Sequence, residues 1–82
     1  MGINFDLIRN ITTLSTSIDK NGDRWHNEVN LISWNGGKPV FDIREWDEDH
    51  NRMRYGVKLD RDELVNLQQG ISAFLKEIEA AR

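Results

Sequence analysis

Over the last 22 residues of this chain the apolar positions Leu64, Leu67, Ile71, Phe74, Leu75 and Ile78 recur three or four residues apart. Before Asp60 the apolar residues alternate instead. A chain that changes once from period two to period 3.6 reads as strands followed by a helix, the two layers burying each other's apolar faces. Asp60 suits the cap of that helix, and Glu63 falls three residues on, as a capping box requires. With 82 residues the chain buries only about 60% of its unfolded surface. It has no cysteine, so no disulfide or thiolate site can supplement so small a core. Self-association is the remaining device, and a homodimer is expected.

Four strand-like stretches precede the helix. Phe5 to Ser17 is rich in β-branched residues, and its alternation breaks near Arg9-Asn10, which predicts a bulge or bend. Asn21-Gly22 marks a turn. A second strand is expected from Arg24 to Trp34, with Val29, Leu31 and Ser33 on one face and Asn30, Ile32 and Trp34 on the other. The segment Asn35-Gly36-Gly37-Lys38-Pro39 forms the next turn. A third strand, Val40 to Trp46, sets Phe41 and Ile43 against Asp42, Arg44 and Trp46. After a polar loop, Asp47 to Arg52, the fourth runs from Met53 to Leu59, with Tyr55, Val57 and Leu59 opposite Arg54, Gly56 and Lys58. The pattern predicts one α+β domain over residues 1–82: a four-stranded antiparallel sheet followed by one C-terminal helix, β-β-β-β-α. The helix stripe, Leu67, Ile71, Phe74, Leu75 and Ile78, supplies the expected dimer interface.

Composition narrows the function classes. The chain is 38% hydrophobic and 30% charged, which suits a soluble globular domain. No apolar run is long enough to span a membrane, and MGINFDLIRN does not read as a secretory signal, so the cytoplasm is expected, with association with the nucleoid compatible. No nucleophile elbow, phosphate-binding loop or HExxH motif occurs. The run Asp47-Glu48-Asp49-His50 lacks the spacing of a calcium loop, and two histidines are few for zinc. No enzyme activity, metal or cofactor is expected. The net charge of −3 disfavours a nucleic-acid partner when taken whole. Residues 24–58, however, carry six Lys/Arg against six Asp/Glu and both histidines, so local geometry decides.

Three tryptophans are a high load for this length. If Phe41 and Ile43 pack under the helix, Trp46 faces outward beside Arg44, Arg54 and Lys58. An aromatic ring among cations is what sequence-tolerant binders of single strands require.

The stretch from Asn30 to Asn35, then FDIREW, DEDHNRM and RYGVKLDRDEL, resembles the bacterial YdbC-like proteins. These share a superfamily with the single-stranded-DNA-binding domain of the transcriptional coactivator positive cofactor four. The similarity runs from about Phe5 to Ile78. It implies a curved sheet, helices paired at a homodimer interface, and single-stranded DNA or RNA crossing the outer sheet face. Mapped onto this sequence, the implied contacts are Trp25, His26, Lys38, Arg44, Trp46, Arg54 and Lys58, with Arg24 beside them. Where such proteins carry lysine-glycine entering strand four, this chain has Tyr55-Gly56. The expected role is ancillary to transcription, replication or repair, alongside proteins of those processes. The alternative is a protein-interaction module on the same fold, in which Trp46 and Arg44 are hot-spot residues.

Overall fold

A computed structural model describes residues 3–81. Four strands form one antiparallel meander in the order β1-β2-β3-β4: β1 Phe5–Ile18, β2 Arg24–Trp34, β3 Val40–Asp47 and β4 Val57–Leu59. Helix α1, Arg61–Ala80, follows directly. The capping box forms as the sequence predicts: Asp60 Oδ1 accepts from the Glu63 backbone N–H, and Glu63 Oε1 accepts from that of Asp60. No helix among the described residues is long and apolar enough to cross a membrane.

The curvature originates in β1. Its 14 residues pair with the 11 of β2, from Phe5 opposite Trp34 to Ile18 opposite Arg24. Three register shifts absorb the difference, and they leave Ile8, Ile11 and Leu14 without a partner. Each such bulge bends its strand and increases the local twist. β2 and β3 pair without a shift, from Trp25 opposite Asp47 to Ile32 opposite Val40. At the β2–β3 turn Asn35 and Gly36 both take positive φ, 51° and 74°, and Gly37 N–H closes the turn onto Trp34 O at 2.9 Å. That is the twist-matched hairpin geometry which asparagine and glycine favour.

The register sorts side chains onto two faces. One carries Phe5, Leu7, Asn10, His26, Glu28, Asn30, Ile32, Trp34, Val40, Asp42, Arg44, Trp46 and Lys58. The other carries Trp25, Val29, Leu31, Phe41, Ile43, Glu45, Val57 and Leu59, and α1 lies on this second face. The helix covers little of it. Leu64 is half-buried, no helix residue is fully buried, and a gap of about 380 Å³ separates Leu64, Leu67 and Ile71 from Leu14, Val29 and Ile43. Leu67, Ile71, Phe74, Leu75 and Ile78 remain between 41% and 59% exposed.

The fully buried residues lie on the face that has no helix. Asn30, Ile32, Asp42 and Trp46 are all 0% exposed. A sheet face with no covering layer buries side chains in this way only if it curls inward, so the helix-free face is the concave one. This corrects the expectation that Trp46 is solvent-facing: its face is the one foreseen, but the curl brings Phe5, Trp34 and His50 over its ring.

The fourth strand is shorter than the expected Met53 to Leu59. Met53 bridges to Trp46 and Val57 pairs with Ile43, so four steps along the chain oppose three on β3. The extra residue lies within Arg54-Tyr55-Gly56 and breaks the alternation. Gly56 passes so close to β3 that a Cβ there would collide with Arg44 Cβ and with the Ile43 carbonyl oxygen. Gly56→Ala is expected to cost about 1–3 kcal/mol in urea unfolding, because a backbone carbonyl cannot move aside as a flexible side chain can. A variant as stable as the parent would show that this crossing is not tight.

Candidate nucleic-acid interface

On the concave face Asp42 and Arg44, two residues apart on β3, form a fork. Arg44 Nε donates to Asp42 Oδ1 at 2.7 Å and Nη2 to Oδ2 at 2.8 Å. Paired, hydrogen-bonded geometry is what makes a fully buried carboxylate tolerable. Beside it runs a polar ladder. Asn10 Nδ2 donates to Asn30 Oδ1 at 2.7 Å, and Asn30 Nδ2 donates to Glu28 Oε1 at 2.9 Å. His50 Nε2 reaches the same Glu28 oxygen at 2.9 Å. His26 sits at the end of the face, its ring between Thr16 Oγ1 and Glu48 Oε1, each 3.1 Å away.

The aromatic cluster occupies the other half of the face. Trp34 and Trp46 lie nearly parallel, 12° apart with centroids 6.3 Å apart, and Phe5 tilts against Trp46 at 4.9 Å. The two indole N–H groups have no hydrogen-bond partner. Two cations stand over the Trp34 ring: the Arg44 guanidinium at 4.8 Å and the Lys58 ammonium at 4.9 Å from its centroid. These are cation–π distances. Arg44 is neutralised by Asp42, whereas Lys38 and Lys58 form no ion pair among the described residues.

A second constellation lies at the far end of the opposite face. Trp25 is buried beneath the Arg54 guanidinium, 3.9 Å from its ring centroid, and its Nε1 donates to Asp19 Oδ2 at 2.9 Å. That indole bond, reinforced by the backbone N–H groups of Asp23 and Asn21 and by the charge of Arg54, holds the Asp19 carboxyl below its ordinary value. Asp47 is held low chiefly by the Arg52 backbone N–H, then by the Arg52 guanidinium and the Asn51 N–H. Both carboxylates organise loops: Asp19 ties the β1–β2 turn, and Asp47 ties the β3–β4 connection.

Residues 22–70 match the family described as Transcriptional Coactivator p15 (PC4). The chain belongs to the PC4 family. A relative from Treponema pallidum (strain Nichols), described as an uncharacterized protein, is 44% identical over 64 residues, which cover 78% of this chain and 71% of the relative. The PC4 match begins at the β1–β2 turn and ends at Gly70, so it takes in β2, β3, β4 and the first half of α1.

Within this PC4-type frame the expected contact residues divide. His26, Arg44, Trp46 and Lys58 share the concave face, although Trp46 is sealed inside it. Lys38 is exposed in the β2–β3 turn at the rim. Arg54 does not join Lys58 as the alternation predicts, because the extra residue before β4 sends it to the opposite face over Trp25. There it also pairs with Glu45 at 3.2 Å. Trp25 likewise faces away from the concave surface. Sequence reasoning passed over Trp34, Phe5 and His50. Trp34 could have been found from the hairpin: with Ile32 opposite Val40, it must share a face with Arg44.

Removing the Arg44 side chain leaves Asp42 buried and uncompensated. Arg44→Ala is expected to lower unfolding stability by about 3–5 kcal/mol. Arg44→Lys should recover only part, since an ammonium cannot satisfy both carboxylate oxygens in one plane. A loss under about 1 kcal/mol in urea titration would mean that the fork does not hold the face together.

Proposed function

We propose that this chain binds single-stranded nucleic acid with little regard to sequence, as a two-fold dimer that presents two concave sheet faces, in a role ancillary to transcription, replication or repair. The observation that carries the reading is the position of Lys58: a cation without a carboxylate partner among the described residues, held over the Trp34 ring on the face that the helix leaves open. Membership of the PC4 family supports it, since a sheet that binds single strands is what the resemblance implies. The work is binding, not chemistry. Lys38 and Lys58 meet phosphates, His26 and the outer nitrogen of Arg44 add hydrogen bonds, and buried Trp46 stiffens the floor beneath Trp34. The exposed stripe of α1, from Leu67 to Ile78, supports the dimer, because an apolar helix face this open suits a second copy.

A protein-interaction role is the second reading. It is favoured by the pairing of Arg24, Arg44, Arg52 and Arg54 with carboxylates, which leaves few cations for phosphate.

Anisotropy of a labelled dT 20-mer and of its duplex, at several salt concentrations, separates the two. The proposal expects the single strand to be preferred and affinity to fall with salt, each phosphate contact adding about 0.7 to the log–log slope. Lys58→Ala should reduce that slope by about 0.7. Binding that ignores salt, or no binding at low salt, would select the protein-partner reading. Light scattering at micromolar concentration is expected to give twice the 9.6 kDa chain mass, and the mass of one chain would overturn the dimer.

A further inference from the structure

Of the seven aromatic side chains, only Tyr55 and Phe74 are exposed. Phe74 belongs to the helix stripe. Tyr55 is different: it is 105% exposed, so both faces of its ring are open to water. An exposed ring usually rides on a mobile backbone, but this one does not. On its N-terminal side Met53 bridges to Trp46 and Arg54 N–H donates to Glu45 O at 3.1 Å. On its C-terminal side Gly56 is wedged against Arg44 and Val57 pairs with Ile43. The extra residue that shortens β4 thus thrusts a ring outward from a fixed base.

The ring stands at the edge of a cavity of about 500 Å³, lined by Tyr55 with Ile3, Arg44, Met53 and Arg54. That is within the usual range of ligand clefts, about 300–1,000 Å³. Arg44 and Met53 place it on the concave face. Asp42 occupies Nε and Nη2 of Arg44, which leaves Nη1 with a thioether, 3.4 Å to Met53 Sδ, and one long contact, 3.4 Å to Arg54 O. A thioether is a weak acceptor, and an N–H···O contact of that length satisfies a donor poorly. Nη1 is therefore a fixed, under-used donor beside an open aromatic ring.

We propose that Tyr55 is the base-stacking platform of this protein, and that the cavity beside it takes one unstacked nucleobase of a single strand, whose carbonyl oxygen accepts from Arg44 Nη1. The role that sequence alternation assigns to Trp46 falls to Tyr55, because Trp46 is enclosed. This inference rests on the single-strand reading above and adds the residue that grips a base. Stacking tolerates any base, and a donor-only partner favours those that present a carbonyl, such as thymine.

The test compares the parent with Tyr55→Ala and Tyr55→Phe against the dT 20-mer and against a 20-mer of abasic residues with the same phosphate backbone. Tyr55→Ala is expected to weaken dT binding about 5- to 150-fold and Tyr55→Phe to preserve it. On the abasic strand the alanine variant should bind as the parent does. Because the side chain is fully exposed, both variants should unfold at the parent's urea midpoint. Strands containing 5-iodouracil should cross-link to Tyr55, with the adduct mapped by mass spectrometry. A parent that binds dT while Tyr55→Ala binds equally well would overturn the platform and leave the single-strand reading standing. An equal loss on the abasic strand would also overturn it, showing a phosphate contact instead. A parent that binds neither strand would overturn the single-strand reading itself.

Discussion

The mismatch in length between β1 and β2 governs the shape on which everything else depends. Three unpaired residues, Ile8, Ile11 and Leu14, are distributed three apart along β1, so the bend is shared along the strand instead of being concentrated in one kink. The sheet curls away from α1, and the helix-free face closes on its own side chains. Without that curl Trp46 and Ile32 would be wet, and Asp42 and Arg44 would form an ordinary surface pair of little worth. With it, the pair is buried and the face is rigid.

That rigidity has a chemical consequence. Three of the five buried residues on the concave face are polar: Glu28, Asn30 and Asp42 stand beside Ile32 and Trp46. Apolar residues would pack such a floor as well or better, but they would not position a guanidinium. Asp42 takes two of the Arg44 nitrogens and thereby aims the third. A single buried carboxylate on β3 converts a flexible side chain into a fixed donor at the rim of the face. The cost is one cation fewer for long-range attraction, and it falls on a chain whose net charge is already −3.

The linear pattern carried the elements well. Asp60 and Glu63 mark the start of α1, Asn-Gly pairs mark the first two of the three hairpin turns, and the change of period at Asp60 separates sheet from helix. The sidedness of β2 and β3 was also legible, since their pairing has no shift. What alternation cannot report is which face is closed. Phe41 and Ile43 look like the core and Trp46 like the surface, because period two ranks faces by composition, whereas closure follows from curvature set by pairing counts between distant residues. The extra residue before β4 was hidden for a related reason. RYGVKL alternates cleanly, and only the pairing of Met53 with Trp46 and of Val57 with Ile43 shows that Arg54 and Lys58 part company there.

The bulges in β1 also bear on its outer side. β1 is an edge strand, long and rich in exposed isoleucine and leucine, the kind of edge on which foreign strands condense into fibres. A partner strand can zip onto such an edge only if donors and acceptors repeat every two residues. Here the repeat is broken three times within nine residues, from Leu7/Arg9 to Thr13/Ser15. The apolar surface stays open to face-to-face contact and closed to strand addition, so the device that bends the sheet also guards the chain against amyloid-like growth.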